Sequence, residues 1–316
     1  MKNKNRYSGS VMTKIGCCLM AAAMVPIKGW ACACGCGVFD VATSSMIPNG
    51  PGGMAYFDYF FQDQNRNWSG TSEAPAENNT DKQIKTDFFS IGLQYMFNDT
   101  WGVQAEVPYD FRTFKTDVGA GNIVTKKWNQ LGDIRLKGIY TGFSPDLSAG
   151  LTLGVKLPTG NFNVSPDIVD RDTQLGTGST DALLGGFYRG EIWRAKHLEW
   201  FAQGELDLPV ATQQQYRPGV EFDAAAGIYF KGFSLGRVSV IPIAQVIFSE
   251  RDSDSGANAS NPVASGYTRV LLSPGIEFHI HPFTIYADAE VPVYQNFTGN
   301  QLAGPVLFKM TVSYMF

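Results

Sequence analysis

Along most of this chain apolar and polar residues alternate with a period of two. In residues 302–316, LAGPVLFKMTVSYMF, the positions Val306, Phe308, Met310, Val312, Tyr314 and Phe316 are apolar, while Lys309, Thr311 and Ser313 between them are polar or small. Successive side chains of a strand point to opposite sheet faces, so this pattern predicts a strand with one greasy and one wet face. Ile134, Leu136 and Tyr140 alternate in the same way with Asp133, Arg135 and Lys137, and Leu151, Leu153, Val155 and Leu157 with Thr152, Gly154 and Lys156. Trp200, Leu206 and Leu208 interleave with Glu199, Gln203, Glu205 and Asp207, and Ile285, Ala287, Ala289 and Val291 with Tyr286, Asp288 and Glu290. Residues 83–97 resist phasing, because Phe88, Phe89, Ile91 and Leu93 occupy both parities.

About twelve such blocks follow one another, beginning near Gly53, Gln83, Trp101, Gln130, Leu147, Ser179, Leu198, Gly219, Leu235, Gly266, Phe283 and Leu302. Short turns (residues 98–100, 144–146, 194–197, 231–233 and 281–282) alternate with longer polar stretches (65–82, 117–125, 161–175, 211–215, 250–265 and 298–301). This alternation puts every long loop on one rim and every tight turn on the other, together with both ends of the strand set. A soluble jelly roll needs crossover connections and follows no such rule. The fold class predicted is all-β: a single transmembrane antiparallel up-and-down β-barrel, with long extracellular loops, short periplasmic turns, lipid outside and a polar lumen.

Aromatic residues collect beside the short turns (Phe97, Trp101, Phe143, Trp193, Phe230, Phe233, Phe283 and Phe316) and predict a periplasmic girdle at headgroup level. Apolar-proline elements end at Pro108, Pro158, Pro209, Pro242 and Pro292. Proline cannot donate to a ladder, so these positions are expected to be bulges or ladder ends near the outer rim.

At the start of the chain Lys2, Lys4, Arg6 and Lys14 precede an apolar run, residues 15–27, too short to span a bilayer as a helix. Small residues follow, so residues 1–31 read as a cleaved secretory signal peptide. Residues 32–51 then form a periplasmic cysteine-containing segment, and residues 52–316 the barrel. Removing residues 1–31 takes five basic residues and no acid, which leaves 20 Lys and Arg against 29 Asp and Glu. Such a balance argues against a nucleic-acid partner.

All five cysteines are N-terminal: Cys17, Cys18, Cys32, Cys34 and Cys36. Disulfides therefore do not hold the barrel together. The alternating Cys32, Cys34 and Cys36 read either as a segment oxidised or lipidated after export, or as a thiolate site for a soft metal ion or a redox partner. His279 and His281 are expected at the same rim, so a copper or zinc site built from Cys34, Cys36, His279 and His281 is a second form of that reading. No other cofactor is predicted.

LGDIRLKGIY from Leu131, LTLGVKLPTGNF from Leu151, GTGSTDALLGGFY from Gly176, YRPGVEFDAAAGIYF from Tyr216 and LLSPGIEFHI from Leu271 resemble segments of a transporter-like outer-membrane family, that of the meta-pathway of phenol degradation. The resemblance runs from about Gly52 to Phe316. It implies a barrel that passes small molecules, with lipid and the barrel assembly machinery as partners. Tyr314 and Phe316 are the expected assembly signal, with Phe316 beside the strand that begins near Gly53.

The predicted lumen lining comprises Glu106, Asp133, Arg135, Lys137, Lys156, Arg189, Glu205, Asp207, Glu221, Asp223, Arg237, Arg269, Glu277, Asp288, Glu290 and Lys309. Acids and bases confined in a narrow bore pair, because an unpaired charge there is expensive. Such an interior either braces the barrel or selects small polar and cationic solutes. Two functions follow. One is a channel for passive passage of small, organic or hydrophobic solutes; the other is a structural or docking barrel for a periplasmic redox or metal-handling protein held by the cysteine segment. No catalytic residues are predicted: the three histidines, His197, His279 and His281, lie beside periplasmic turns, away from any Ser and carboxylate set.

Overall fold

The computed structural model describes residues 47, 48, 50–193 and 197–316. The predicted signal peptide and all five cysteines, Cys34 and Cys36 among them, lie outside the described residues.

One antiparallel sheet closes on itself. In chain order its segments are β1 (Gly52–Gln64), β2 (Arg66–Gly70), β3 (Ser72–Glu73), β4 (Asp81–Met96), β5 (Trp101–Asp117), β6 (Ile123–Leu131), β7 (Ile134–Tyr140), β8 (Ala149–Leu157), β9 (Ser179–Trp193), β10 (Leu198–Thr212), β11 (Glu221–Phe230), β12 (Phe233–Leu235), β13 (Val238–Arg251), β14 (Tyr267–Ile280), β15 (Phe283–Ala303) and β16 (Leu307–Met315). β6 and β7 are two halves of one barrel strand, both paired with β5, and β2, β3 and β12 are short additions, so the wall has 12 strands. Closure is the pairing of β1 with β16, from Met54 opposite Met315 to Gln62 opposite Leu307. Among the described residues no helix is long and apolar enough to cross a membrane; the regular structure is strand.

The expected alternation sets the faces. On β16 Phe308 and Met310 are exposed outside, while Lys309, Thr311 and Ser313 are buried inside. The phase of β4 is settled as well: Ile91, Leu93 and Tyr95 face out, Ile84, Thr86, Gln94 and Met96 face in, and Phe88 takes the inner parity beneath Arg112. Leu136, Leu151, Leu153, Val246, Leu272 and Phe308 are all at least 42% exposed on the outer wall, an apolar belt that only apolar surroundings make favourable. Seven of the eight aromatic residues expected beside the short turns are exposed there, between 47% for Phe283 and 60% for Phe97.

Several loop expectations change. Residues 117–125 are not a long loop, because β5 and β6 continue their ladder up to Asp117 opposite Ile123. Residues 65–82 contain the β2–β3 hairpin, and β2 adds onto the upper part of β15. Of the prolines, Pro209 and Pro292 adjoin bulges and Pro158 follows the end of β8. Pro108 keeps regular register with Ser90, and the irregularity is displaced to the partner strand, where β6 gives way to β7 at Gly132 and Asp133. Pro242 lies near the periplasmic end instead of the outer rim. It is tolerated there because the β11 ladder stops one residue earlier, at Ile243 opposite Tyr229.

Candidate functional site

The loop between β8 and β9 folds down into the barrel. Its neck is drawn together where Gly160 meets Gly176: a Cβ on Gly176 would stand 2.2 Å from the Gly160 carbonyl oxygen, so only glycine allows the approach. Asp133, freed from the ladder at the β6–β7 break, clamps this neck. Its Oδ1 accepts the Gly160 N–H at 2.9 Å, and its Oδ2 accepts the Thr177 N–H at 2.8 Å and the Thr177 hydroxyl at 2.5 Å.

Below the neck, the loop tip is bound by side chains from the wall. Arg112 Nη1 donates to the carbonyls of Thr173 (2.7 Å) and Gln174 (3.3 Å), and Arg112 Nε donates to Thr86 Oγ1 (2.9 Å). These bonds satisfy carbonyls that burial would otherwise leave without water. Val169 packs with Ile84, Phe114 and Leu302, an apolar cluster inside the upper lumen. Arg171 lies between the rings of Phe162 and Tyr216, 4.3 and 4.4 Å from their centroids, and donates to the Thr177 carbonyl. Asp254, from the loop after β13, accepts from Tyr216 Oη (2.8 Å), Gly219 N (2.8 Å) and Arg251 Nη2 (2.5 Å).

Under this roof is a cavity of about 170 Å3. Its floor is a charge layer running round the wall from β7 to β10. Arg135 contacts Glu205 at 3.2 Å and Asp207 at 3.8 Å, Lys137 contacts Glu205 at 2.5 Å, and Lys156 joins Asp207 at 3.0 Å with Asp181. Gly185 lies beside this layer against β8, where a Cβ would stand 2.3 Å from Thr152 Oγ1. Burial alone penalises every one of these charges, and their mutual pairing offsets that cost.

A second cavity, about 70 Å3, lies on the periplasmic side of the same layer, and Glu106 and Arg135 border both. Ile47 and Pro48 enter the barrel here. Ile47 is 2% exposed within a collar of Phe201, Tyr229, Ile241, Ile243 and Tyr286, whose rings and branches all take the inner parity. Beside the collar, Gln245, Ser273 and Tyr286 donate to Asp288 Oδ2 at 3.1, 2.7 and 2.6 Å.

Most of the predicted lining stands on the inner wall. Glu106, Asp133, Arg135, Lys156, Asp207, Glu221 and Lys309 border the upper cavity, and Lys137 and Glu205 border the lower one. Glu221 accepts from Tyr267 Oη at 2.7 Å, Asp223 accepts from Ser249, Arg269 lies 4.6 Å from the Tyr267 ring, and Glu277 and Glu290 are 0% and 1% exposed. Arg189 takes the inner parity at the periplasmic rim and donates to the Asp146 carbonyl at 3.0 Å. Arg237 departs from the expectation. It sits exposed in the two-residue turn between β12 and β13, because β12 extends the hairpin outward past the barrel rim.

His279 bonds Glu277 through its ring Nε2, and His281 is exposed in the β14–β15 turn. Among the described residues no three His, Cys, Asp or Glu side chains are grouped to hold a metal ion.

Sequence reasoning missed Arg112, Asp110 and the loop residues Arg171 and Asp172. Asp110 and Arg112 share the parity of Glu106, so their inward placement was legible; the descent of the loop was not.

No family model matches the chain, and no curated protein matches it by sequence. Solved structures do. An outer membrane channel from Pseudomonas putida F1 superposes with a TM-score of 0.62 at 10% identity, over 89% of this chain and 100% of that one. The β domain of the Bordetella autotransporter BrkA gives 0.49 at 13% identity, over 84% and 100%, and a Pseudomonas aeruginosa FadL homologue gives 0.43 at 10%, over 83% and 90%. The first of these carries the comparison, and what it shares with this chain is the closed outer-membrane barrel fold.

Proposed function

We propose that this protein is an outer-membrane channel through which small molecules pass passively. The observation that carries the reading is a closed barrel, apolar outside, whose charged interior holds two cavities in series with a shared boundary at Glu106 and Arg135. The interior combines fixed charges of both signs with narrow free space, which suits small polar solutes and excludes large ones.

Export through a signal peptide and insertion by the barrel assembly machinery, with Tyr314 and Phe316 as the signal, belong to this proposal. So does membership of the meta-pathway family, which rests on the segments quoted above and names no solute. The Pseudomonas putida structure, a channel, supports the reading by fold. Planar-bilayer recording of the purified chain tests it: discrete openings are expected. A barrel that is inserted yet electrically silent under all salts and voltages overturns it.

A further inference from the structure

The upper cavity has a chemical bias. Among the side chains that border it, carboxylates outnumber basic groups eight to six. Five of the six basic groups are engaged: Arg112 with Thr86 and two loop carbonyls, Arg135 with Glu205 and Asp207, Lys156 with Asp181 and Asp207, Arg251 with Asp254, and Arg171 with the Thr177 carbonyl between two rings, its Nε remaining buried without a partner; the sixth is Lys309 on β16. The carboxylates are not all so committed. Oδ1 of Asp110, Asp181 and Asp207 is buried without a hydrogen-bond partner, and the Asp172 carboxylate is met only by the N–H groups of its own turn, those of Asp172 and Thr173, too poorly aligned to satisfy it. Asp172 is 6% exposed and Asp110 5%, so bulk water does not serve them in place of a partner.

A buried carboxylate oxygen only accepts, so whatever fills this space must donate. The acceptors are not grouped for a metal ion among the described residues. They come from β5, β9, β10 and the inward loop, separate parts of the cavity wall, which calls for donors on more than one atom. The volume, about 170 Å3, is in the range of cavities that elsewhere hold a benzene-sized molecule, about 150 Å3. Phe60, Phe88 and Pro108 give the same space apolar surface.

We propose that the upper cavity is a binding site for a compact organic cation with N–H donors on more than one atom, of the amidinium, guanidinium or diamine class. Asp172 from the loop and Asp110 from the wall take its donors, and the apolar residues take its carbon skeleton. Asp172 also makes the site sensitive to protons. Its burial, with Asp254 nearby and Arg251 opposing, pushes its carboxyl up to about 7, so the charged form that a cation needs dominates only in mildly alkaline solution. This inference narrows the solute class of the channel proposed above and rests on that reading, while binding and conduction are measured separately.

Calorimetric titration of the refolded full chain in detergent at pH 8 compares benzamidine with its near-isosteres benzamide, which is neutral, and benzoate, which is an anion. Benzamidine is expected to bind, with the other two at least tenfold weaker. Asp172→Asn and Asp110→Asn should each weaken benzamidine at least tenfold, and Asp252→Asn, an exposed loop carboxylate, should leave it unchanged. Heat-modifiable gel migration establishes that each variant is folded, and the two lumen variants stand in for one another if one fails. Equal binding of benzamide, no binding of benzamidine, or unchanged affinity in the folded lumen variants overturns the inference. A barrel that binds benzamidine but never conducts overturns the channel reading alone, and one that conducts without binding overturns this inference alone.

Discussion

Phe316 and Gly53 exchange both backbone hydrogen bonds, 2.8 Å from the Gly53 N–H to the Phe316 carbonyl and 2.9 Å in return. The last residue thus completes the ladder that closes the barrel, and its ring covers the face of Gly53, where a Cβ would stand 2.3 Å from the ring. Deleting Phe316 removes both bonds and one exposed ring of the aromatic belt. Insertion into the outer membrane, followed by heat-modifiable migration, is expected to fall several-fold, and unchanged insertion would remove the assembly role from Phe316.

Arg112 holds the inward loop by its carbonyls. Replacing it by Met keeps much of the stem but leaves the loop tip without its charged donor, a loss of about 1.5–3 kcal/mol for a hydrogen bond to a charged group. The barrel itself should survive. Urea unfolding of the Arg112→Met variant should show the loss, and single-channel conductance should rise as the loop leaves the bore.

The neck of the loop offers a change that touches no charge. Gly176→Ala forces a Cβ into the Gly160 backbone, which cannot yield as a side-chain tip would. Protease should cut residues 161–175 of the folded variant faster than in the parent, with the twelve-stranded wall intact by circular dichroism.

Loop seating should also depend on pH. Burial lifts Asp172 to about 7 and Asp170 to about 6, whereas in a released loop both carboxyls titrate near the ordinary value of about 4. The seated loop therefore binds more protons between these limits, and its seating weakens as pH rises from about 4 to about 7 and is level beyond. Arg251 favours the ionised form of Asp172 and Asp254 opposes it, so both contribute to the midpoint. Protease sensitivity of the loop should be greater at pH 8 than at pH 5, and Asp172→Asn should flatten most of that difference.

At the other end, Ile47→Ala trims a side chain that fills the collar of Phe201, Tyr229, Ile241, Ile243 and Tyr286. Large-to-small changes at buried positions cost about 2–5 kcal/mol, here charged to the seating of one segment and not to the barrel. Larger or more frequent openings are expected in planar bilayers, and an identical current record would show that the segment does not obstruct the path.

The wall was legible because its signal is periodic and redundant. Lys309, Leu153 and Asp288 each obey a parity repeated over a whole strand, and the neighbouring strand repeats it again. Residues 83–97 broke the pattern because Phe88 joins Ile84 and Met96 on the inner parity, lying 5.7 Å from the Arg112 guanidinium, a contact that no local rule announces. Arg237 was misplaced for the complementary reason: it carries a charge at strand spacing, yet a two-residue turn claims it. The candidate site was half legible. Its floor, Arg135, Lys156, Glu205 and Asp207, follows from parity. Its roof depends on residues 161–175 folding inward, which is decided by a pair of glycines and one aspartate that only the tertiary structure brings together.

β15 climbs as far as Phe297, its last pair with β14; past Gly299, at positive φ, residues 301–303 turn back down beside β2 towards Leu307, whereas a tilted strand needs about 9–11 residues to cross a bilayer. The climbing part of β15, up to Phe297, exceeds that need by about 4–6 residues, which at about 3.3 Å per residue and a tilt near 45° lifts this side of the wall roughly 10 Å above the lipid. The molecule thus carries a rigid, hydrogen-bonded fin on the cell surface, on one flank of the mouth. The Gly70–Thr71 tip of its hairpin is a handle by which the barrel can be labelled without touching the bore.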